Sequence, residues 1–398
     1  MSEVSLPHSS QPAAMASFKR GAREYGLLAS LIVIMIFFQV ATDGALMQPL
    51  NLTNLLLQNS YIVVMALGML MLMVIVCGHI DLSVGSVVGV IGSIAAVLMV
   101  QYNMDFFSVT VICLIAGGLI GAAQGYWVAV WRMPSFIVTL AGMLIFRGAT
   151  IAISQGQSIG PFPPSFTALS SGFIPELFAN DSLRLTSLLL GAAVAALFCV
   201  VEYRSRRRTV RSGSVVAPLA VFVLKNGVVT ALILYFCYLL STYRGIPTVM
   251  VIMSVLIGVY TFVMNRTVIG RWVYAVGGNL KASKLSGINA SQVTFFAFVN
   301  MGVLAAVAGL IFVARLNSAT PRGGTGFELD VIAAVFIGGA SASGGVGKVV
   351  GVVIGAFIMG VLNNGMSIMG IGIDYQQMIK GAVLLAAVFV DVYQKNKG

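Results

Sequence analysis

Twelve apolar stretches fill this chain and leave no room for a soluble domain between them. They run roughly over residues 25–41, 52–77, 84–100, 107–130, 136–153, 185–201, 216–240, 247–264, 293–314, 329–341, 349–366 and 375–390. Hydrophobic residues make up 59% of the 398, and charged residues only 9%. So little charge cannot clothe an exterior in water, so the exterior must face hydrocarbon. A bilayer admits only helices or closed barrels, and about 20 apolar residues per span indicates helices. The expected fold is an all-α, polytopic transmembrane bundle of about twelve segments. Stretch 329–341 is too short to cross directly, which predicts a broken or re-entrant element.

The net charge of +11 reports orientation. With the leader in the cytoplasm and the spans alternating, 16 of the 23 basic residues fall on the inner side. They include Lys19, Arg20, Arg23, Arg132, the run Arg204–Arg211, Arg266, Arg271, Lys281, Lys284, Lys348, Lys395 and Lys397. Arg184, Arg244, Arg315 and Arg322 fall outside, and Arg147, Lys225 and Lys380 within spans. This bias predicts cytoplasmic termini and argues against nucleic acid as a partner. The chain divides into a leader (1–24), one membrane domain (25–391) and a short cytoplasmic tail (392–398). The first span is expected to be a retained helix, because no small-residue cleavage site follows it.

Cys77, Cys113, Cys199 and Cys237 are widely separated in or beside spans, so they suit packing better than a disulfide framework or a metal set. Three loops are long. Residues 154–184 form an extracytoplasmic loop rich in Pro, Ser and Gly that could cap a pathway or meet a partner. Residues 202–214 form an arginine-rich inner loop suited to anionic lipid. Residues 265–291 form an inner loop too apolar for a solvated linker. Within it, Asn279 as N-cap and Gly287 as the stop bracket a two-turn helix over 279–286. Such a helix is either a docking element or one lying in lipid headgroups.

Glycines recur every four residues at Gly85/Gly89, Gly117/Gly121/Gly125 and Gly347/Gly351/Gly355, which predicts close helix packing. The run Val84-Gly-Ser-Val-Val-Gly-Val is echoed by Val346-Gly-Lys-Val-Val-Gly-Val, through either duplication or convergent glycine spacing. Asp81, with Ser83 and Ser86, sits in a polar break between apolar runs. It either caps the next helix or faces solute, since a charge at bilayer depth costs about 2.5–3.5 kcal/mol. Gly338, Gly339, Ser341, Ser343, Gly344 and Gly345 form a turn after the short span, the expected site of a broken helix. It fails as a phosphate loop, because Ala342 stands where a glycine is needed and Val349 where Ser or Thr is needed. Asn59, Arg147, Asn363 and Asn364, beside further polar residues in spans, suit an uncharged polyhydroxy solute or interhelical hydrogen bonds. With only His8 and His79, no catalytic or metal constellation can be assembled.

The segments Gly78-x-Ile-Asp-Leu-Ser-Val-Gly-Ser86, Met133-Pro-Ser-Phe-Ile-Val-Thr-Leu140, the Gly270–Asn289 run, Glu328-Leu-Asp-x-Ile-Ala-Ala334 and the Gly338–Gly347 turn carry a resemblance. Together they resemble the permease subunits of bacterial ATP-binding-cassette importers for monosaccharides, most of all the xylose and multiple-sugar members. These lie in a wider group with branched-chain amino-acid permeases. The resemblance implies a type II importer fold in the bacterial inner membrane and a homodimer. It also implies ATPase subunits in the cytoplasm that bind ATP and Mg²⁺, a periplasmic sugar-binding protein, and no cofactor or ATPase site in this chain. It places the ATPase-coupling element at Arg271, Tyr274, Gly277, Gly278, Asn279, Ala282, Leu285 and Gly287, with Lys281 departing from the acidic residue common in relatives. Pathway or gating roles fall to Asp81, Ser83, Ser86, Asn59, Arg147, Asn363 and Asn364. The rival readings are an ion-coupled secondary transporter, for which broken helices bearing Asp81, Arg147 and Lys380 would be apt, and a permease for branched-chain amino acids or nucleosides.

Overall fold

A computed structural model describes residues 13–75, 78–178, 183–213, 218–341 and 343–396, with side chains from 26 to 393. Residues 1–12, Cys77, Ala342 and Lys397 lie outside the described residues. The chain is a bundle of α-helices: α1 (Ala13–Ala41), α2 (Pro49–Val74), α3 (Val84–Ala96, extended by a π turn over Val97–Gln101), α4 (Phe106–Ala129) and α5 (Ser135–Ser154). There follow α6 (Pro164–Ser171), α7 (Leu185–Arg211), α8 (Leu219–Ser241), α9 (Thr248–Arg266), α10 (Val268–Gly278) and α11 (Leu280–Leu285). The last four are α12 (Ala290–Leu316), α13 (Phe327–Ile337), α14 (Val349–Ile368) and α15 (Ile373–Asn396). Among the described residues, ten helices are long and apolar enough to cross a membrane. The apolar part of α1 (Gly26–Ala41) and the 11-residue α13 account for the two remaining stretches.

The core is built on α2, α3, α12 and α14. In α2, 89% of the most apolar window is buried, in α3 72%, and in α12 and α14 67% each. α2 packs on α9, α12, α13 and α14, and α12 on α3 and α4, while α1 lies on α14 and α15 on α13. The helices α7 and α8 form a peripheral hairpin, joined where Gly191 meets Cys237. Glycines set the closest approaches. A Cβ at Gly121 would overlap the Phe298 carbonyl, and one at Gly302 the Gly117 carbonyl, so α4 and α12 touch backbone to backbone. Gly355 meets the Ala334 carbonyl in the same manner, joining α14 to α13. Without a hydrophobic drive inside lipid, such contacts and interhelical hydrogen bonds hold a bundle together. Asn51 and Asn364 supply a reciprocal pair of the latter at 2.9 and 3.1 Å.

Several expectations are corrected. The arginine-rich segment over 202–214 is helical as far as Arg211, a continuation of α7. Arginine is a good helix former, and the charged run simply leaves the apolar zone without a break. The 154–184 loop contains α6 and is pinned by isolated antiparallel bridges, Ile159 to Ala319 and Phe173 to Pro247. Within residues 265–291 the short helix expected over 279–286 is present as α11, and a further helix, α10, precedes it and buries Val273 and Val276. The Gly338–Gly347 turn joins the short α13 to α14 at one end of the bundle, in the order half-helix, turn and return. A second irregular segment lies before α13, at residues 317–326, where Gly324 presses on Gly85 and Gly323 on Gly89 of α3. Only glycine allows that approach, since a Cβ at Gly85 or at Gly324 would overlap its partner's carbonyl.

Candidate functional site

The predicted coupling residues gather at one end of the bundle. Thr267 opens α10 by accepting a hydrogen bond from the Gly270 amide at 3.3 Å. Asn279 ends α10 and starts α11, its Oδ1 accepting from the Ala282 amide at 3.0 Å. The Gly287 amide donates to the Lys284 carbonyl, and at φ +80° it occupies the left-handed conformation that closes α11. The two helices therefore form a folded elbow with fixed ends.

One side of the elbow is welded to the bundle. The Tyr274 hydroxyl donates to the Gly347 carbonyl at 2.7 Å. A Cβ at Gly277 would overlap the Val74 carbonyl and lie 2.7 Å from the Gly345 nitrogen. The Gly345 amide in turn donates to the Val74 carbonyl at 2.7 Å. The Gly/Ser turn thus serves as a junction among α2, α10 and α14, and Ser341 ties it to Asp391 of α15 at 3.0 Å. The other side is bare. Arg271 and Ala282 are exposed, a Cβ at Gly278 would meet nothing, and Leu285 is 90% exposed, the most of any large hydrophobic side chain among the described residues.

The predicted pathway residues fall into separate places. Asp81 is buried, and its Oδ1 accepts from the Ser83 amide at 2.8 Å and the Ser83 hydroxyl at 2.7 Å. Gln124 of α4 donates to that same hydroxyl at 2.7 Å, so Asp81 shapes the entry to α3 and cross-links it to α4. Ser86 is buried with its hydroxyl unpaired. Arg147 of α5 lies 3.9 Å from Glu328 in the first turn of α13. Asn363 donates to Asp330 at 3.2 Å, whereas its neighbour Asn364 turns away to Asn51. Asn59 and Asn363 alone share a space, a cavity between α2, α12, α14 and the 317–326 break.

Sequence reasoning missed the acidic turn of α13. Glu328 and Asp330 are 8% and 2% exposed, and Asp330 pairs with Lys380 of α15 at 3.0 Å. Acidic groups at a helix N-terminus complement its dipole, and here they also draw α5, α14 and α15 onto one half-helix. The available signal was two carboxylates inside an apolar run. Among the described residues, no three His, Cys, Asp or Glu side chains come together in a metal-holding group.

Comparison with known proteins gives a consistent picture. A family model described as branched-chain amino acid transport system / permease component matches residues 51–388. The xylose transport system permease protein of Haemophilus influenzae is 41% identical over 374 residues, covering 94% of this chain and 97% of that protein. Its namesake from Escherichia coli is 40% identical over 93% of this chain and 92% of its own length. The ribose import permease protein of Escherichia coli is 33% identical over 92% of each. No solved structure matches. A family model spanning most of the chain, relatives aligned along nearly all of it, and ten membrane-length helices lead to one conclusion: the chain belongs to the branched-chain amino acid transport system / permease component family.

Proposed function

We propose that this chain is the membrane-spanning subunit of an ATP-driven importer of a monosaccharide, with xylose the first candidate. The carrying observation is its 40–41% identity, over nearly the whole chain, to permeases named for xylose transport. In this reading two copies enclose one pathway in the bacterial inner membrane, with both termini and the α10–α11 elbow in the cytoplasm. ATP and Mg²⁺ are bound by separate ATPase subunits. A sugar-binding protein delivers solute at the opposite face, where 154–184 lies.

The elbow's two sides support the division of labour. Leu285 on a capped, two-turn helix offers an apolar knob in water, which suits a groove in a partner. Behind it, Gly277, Gly345 and Val74 meet with no side chain between them, so a push on α11 reaches α2 and α14 without being absorbed by rotamer changes. Interior packing transmits displacement in this way because it is dense and hardly compressible.

The test is reconstitution in vesicles with the ATPase and the binding protein. Xylose uptake should require ATP inside and ignore ionophores. Leu285→Asp should lower both uptake and ATPase co-purification by about thirtyfold or more, as expected for a buried interface anchor worth about 2 kcal/mol, with permease abundance unchanged. Uptake that persists without nucleotide and collapses with an ionophore would instead identify an ion-coupled secondary transporter.

A further inference from the structure

In the orientation proposed above, Arg147 lies seven residues before the outer end of α5, about 10 Å into the hydrocarbon. Lys380 lies seven residues after the outer end of α15, at the same depth. Both reach the first turn of α13, and the two pairs differ. Asp330 grips Lys380 at 3.0 and 3.1 Å, and the lysine side chain is 22% exposed. Glu328 holds Arg147 loosely, at 3.9 Å, and the arginine side chain is 37% exposed. The Arg147 guanidinium donates no hydrogen bond among the described residues.

Five N–H donors left open at that depth cannot face lipid. Charges inside a membrane turn to the bundle interior or to water, since hydrocarbon costs them about 2.5–3.5 kcal/mol. Reaching back to the headgroups is no escape for Arg147. Side chains lean toward the N-terminus of their helix, which for α5 is the inner end, so the guanidinium tilts away from the nearer surface.

The first turn of α13 shows where the water lies. Successive helical residues turn by about 100°, so Glu328 and Asp330 leave on opposite sides, one toward α5 and one toward α15. Leu329 points between them and is 44% exposed, whereas Glu328 and Asp330 are 8% and 2% exposed. An open strip therefore runs along the turn, edged by Arg147 and Lys380. Each edge cation faces a carboxylate, so the strip is close to neutral overall.

We infer that this strip, together with the Arg147 side of α5, lines a water-filled vestibule entered from the outer face. This rests on the reading of the chain as one of two copies around a pathway, and adds which face each copy turns to the other. On α5 that face also carries Leu144 and Ile151, one turn to either side of Arg147 and both exposed.

The test is cysteine labelling of the complete transporter in right-side-out vesicles, with and without ATP inside. A membrane-impermeant methanethiosulfonate is added outside, labelling is read by peptide mass, and the parent chain's own cysteines set the background. Arg147→Cys should label about tenfold faster or more than Leu234→Cys, because the thiolate reacts and apolar surroundings suppress it. Leu234 is exposed and lies seven residues from the outer end of α8, so it matches Arg147 in depth. Ile151→Cys leaves the Arg147–Glu328 pair intact, which covers misfolding of the first variant. It should outpace Tyr238→Cys, its match in depth on α8. An excess at either α5 position supports the vestibule. If neither outpaces its match in either condition, the strip lies in lipid and the inference is overturned. Labelling needs no transport, so the two readings fail separately. Fast labelling in a wild-type-like complex that moves no sugar would sink the proposed function alone, and ATP-driven uptake with both α5 positions inert would sink the vestibule alone.

Discussion

The two glycine-rich breaks of this molecule look alike in sequence and are built for opposite purposes. The Gly338–Gly347 turn meets the Val74 carbonyl and Gly277 backbone to backbone, with Gly347 against the Leu70 and Val74 side chains. The 317–326 break also presses glycines against α3, yet its far side borders a cavity lined by Asn59 and Asn363, each with a buried amide atom unpaired, and by Arg315 and Arg322, without ion-pair partners among the described residues. One is a rigid junction and the other a compliant wall. Glycine spacing reports close backbone approach in both cases. What separates them is whether the surrounding polar atoms are satisfied.

The comparison breaks first at the buried charge pair behind the compliant wall. Lys380→Met should destabilise by about 3–5 kcal/mol, because Asp330 is left charged and 2% exposed with only Asn363 for company. Adding Asp330→Asn should restore most of the loss, since removing both charges is often neutral. Thermal unfolding in detergent reads both variants, and an undiminished midpoint in the single variant would refute the pairing. Next is the rigid junction. Gly277→Ala should cost about 1–3 kcal/mol from overpacking against Val74 and Gly345. The same change at Gly278, where a Cβ meets nothing, should stay within about 0.5 kcal/mol. Equal midpoints for the two would mean that the junction has slack. The smallest effect belongs to the elbow's outer cap. Asn279→Ala should remove about 1 kcal/mol from α11 alone. Faster tryptic cleavage at Lys281 and Lys284, with an unmoved global midpoint, is the expected signature.

Much of the architecture is legible in the sequence because hydropathy and length suffice to place a span. Every predicted apolar stretch corresponds to a helix, and the ends of α11 at Asn279 and Gly287 follow from capping chemistry. Burial is not legible in the same way. The most apolar windows of α2 and α8 have nearly equal hydropathy, 1.9 and 2.0, yet 89% of one is buried and 6% of the other. Lipid and a protein core reward the same side chains, so composition cannot tell them apart. The dipping 317–326 segment read as an outer loop for a related reason. Thr320, Arg322 and three glycines suit open water, but they equally suit the wall of a polar cavity inside the bundle. Among candidate residues, Asp81 was open between capping and solute contact, and its hydrogen bonds run to Ser83. Arg147 had a visible partner in Glu328 only once α13 was placed beside α5. Pairings across hundreds of residues, such as Asn51 with Asn364, leave no local trace.

The continuous course of α7 has a consequence of its own. Its 27 residues extend about 40 Å, roughly 10 Å more than the hydrocarbon it crosses, and the surplus carries Arg204, Arg206, Arg207, Arg208 and Arg211. Arg206 lies over the Phe222 ring at 4.7 Å, and Glu202 lies 3.9 Å from Lys225, so the rod is braced against its hairpin neighbour. Arg204 to Arg211 spread over about 10 Å of that post, a length suited to anchorage among lipid phosphates. Such a post would set the depth of its own hairpin in the bilayer.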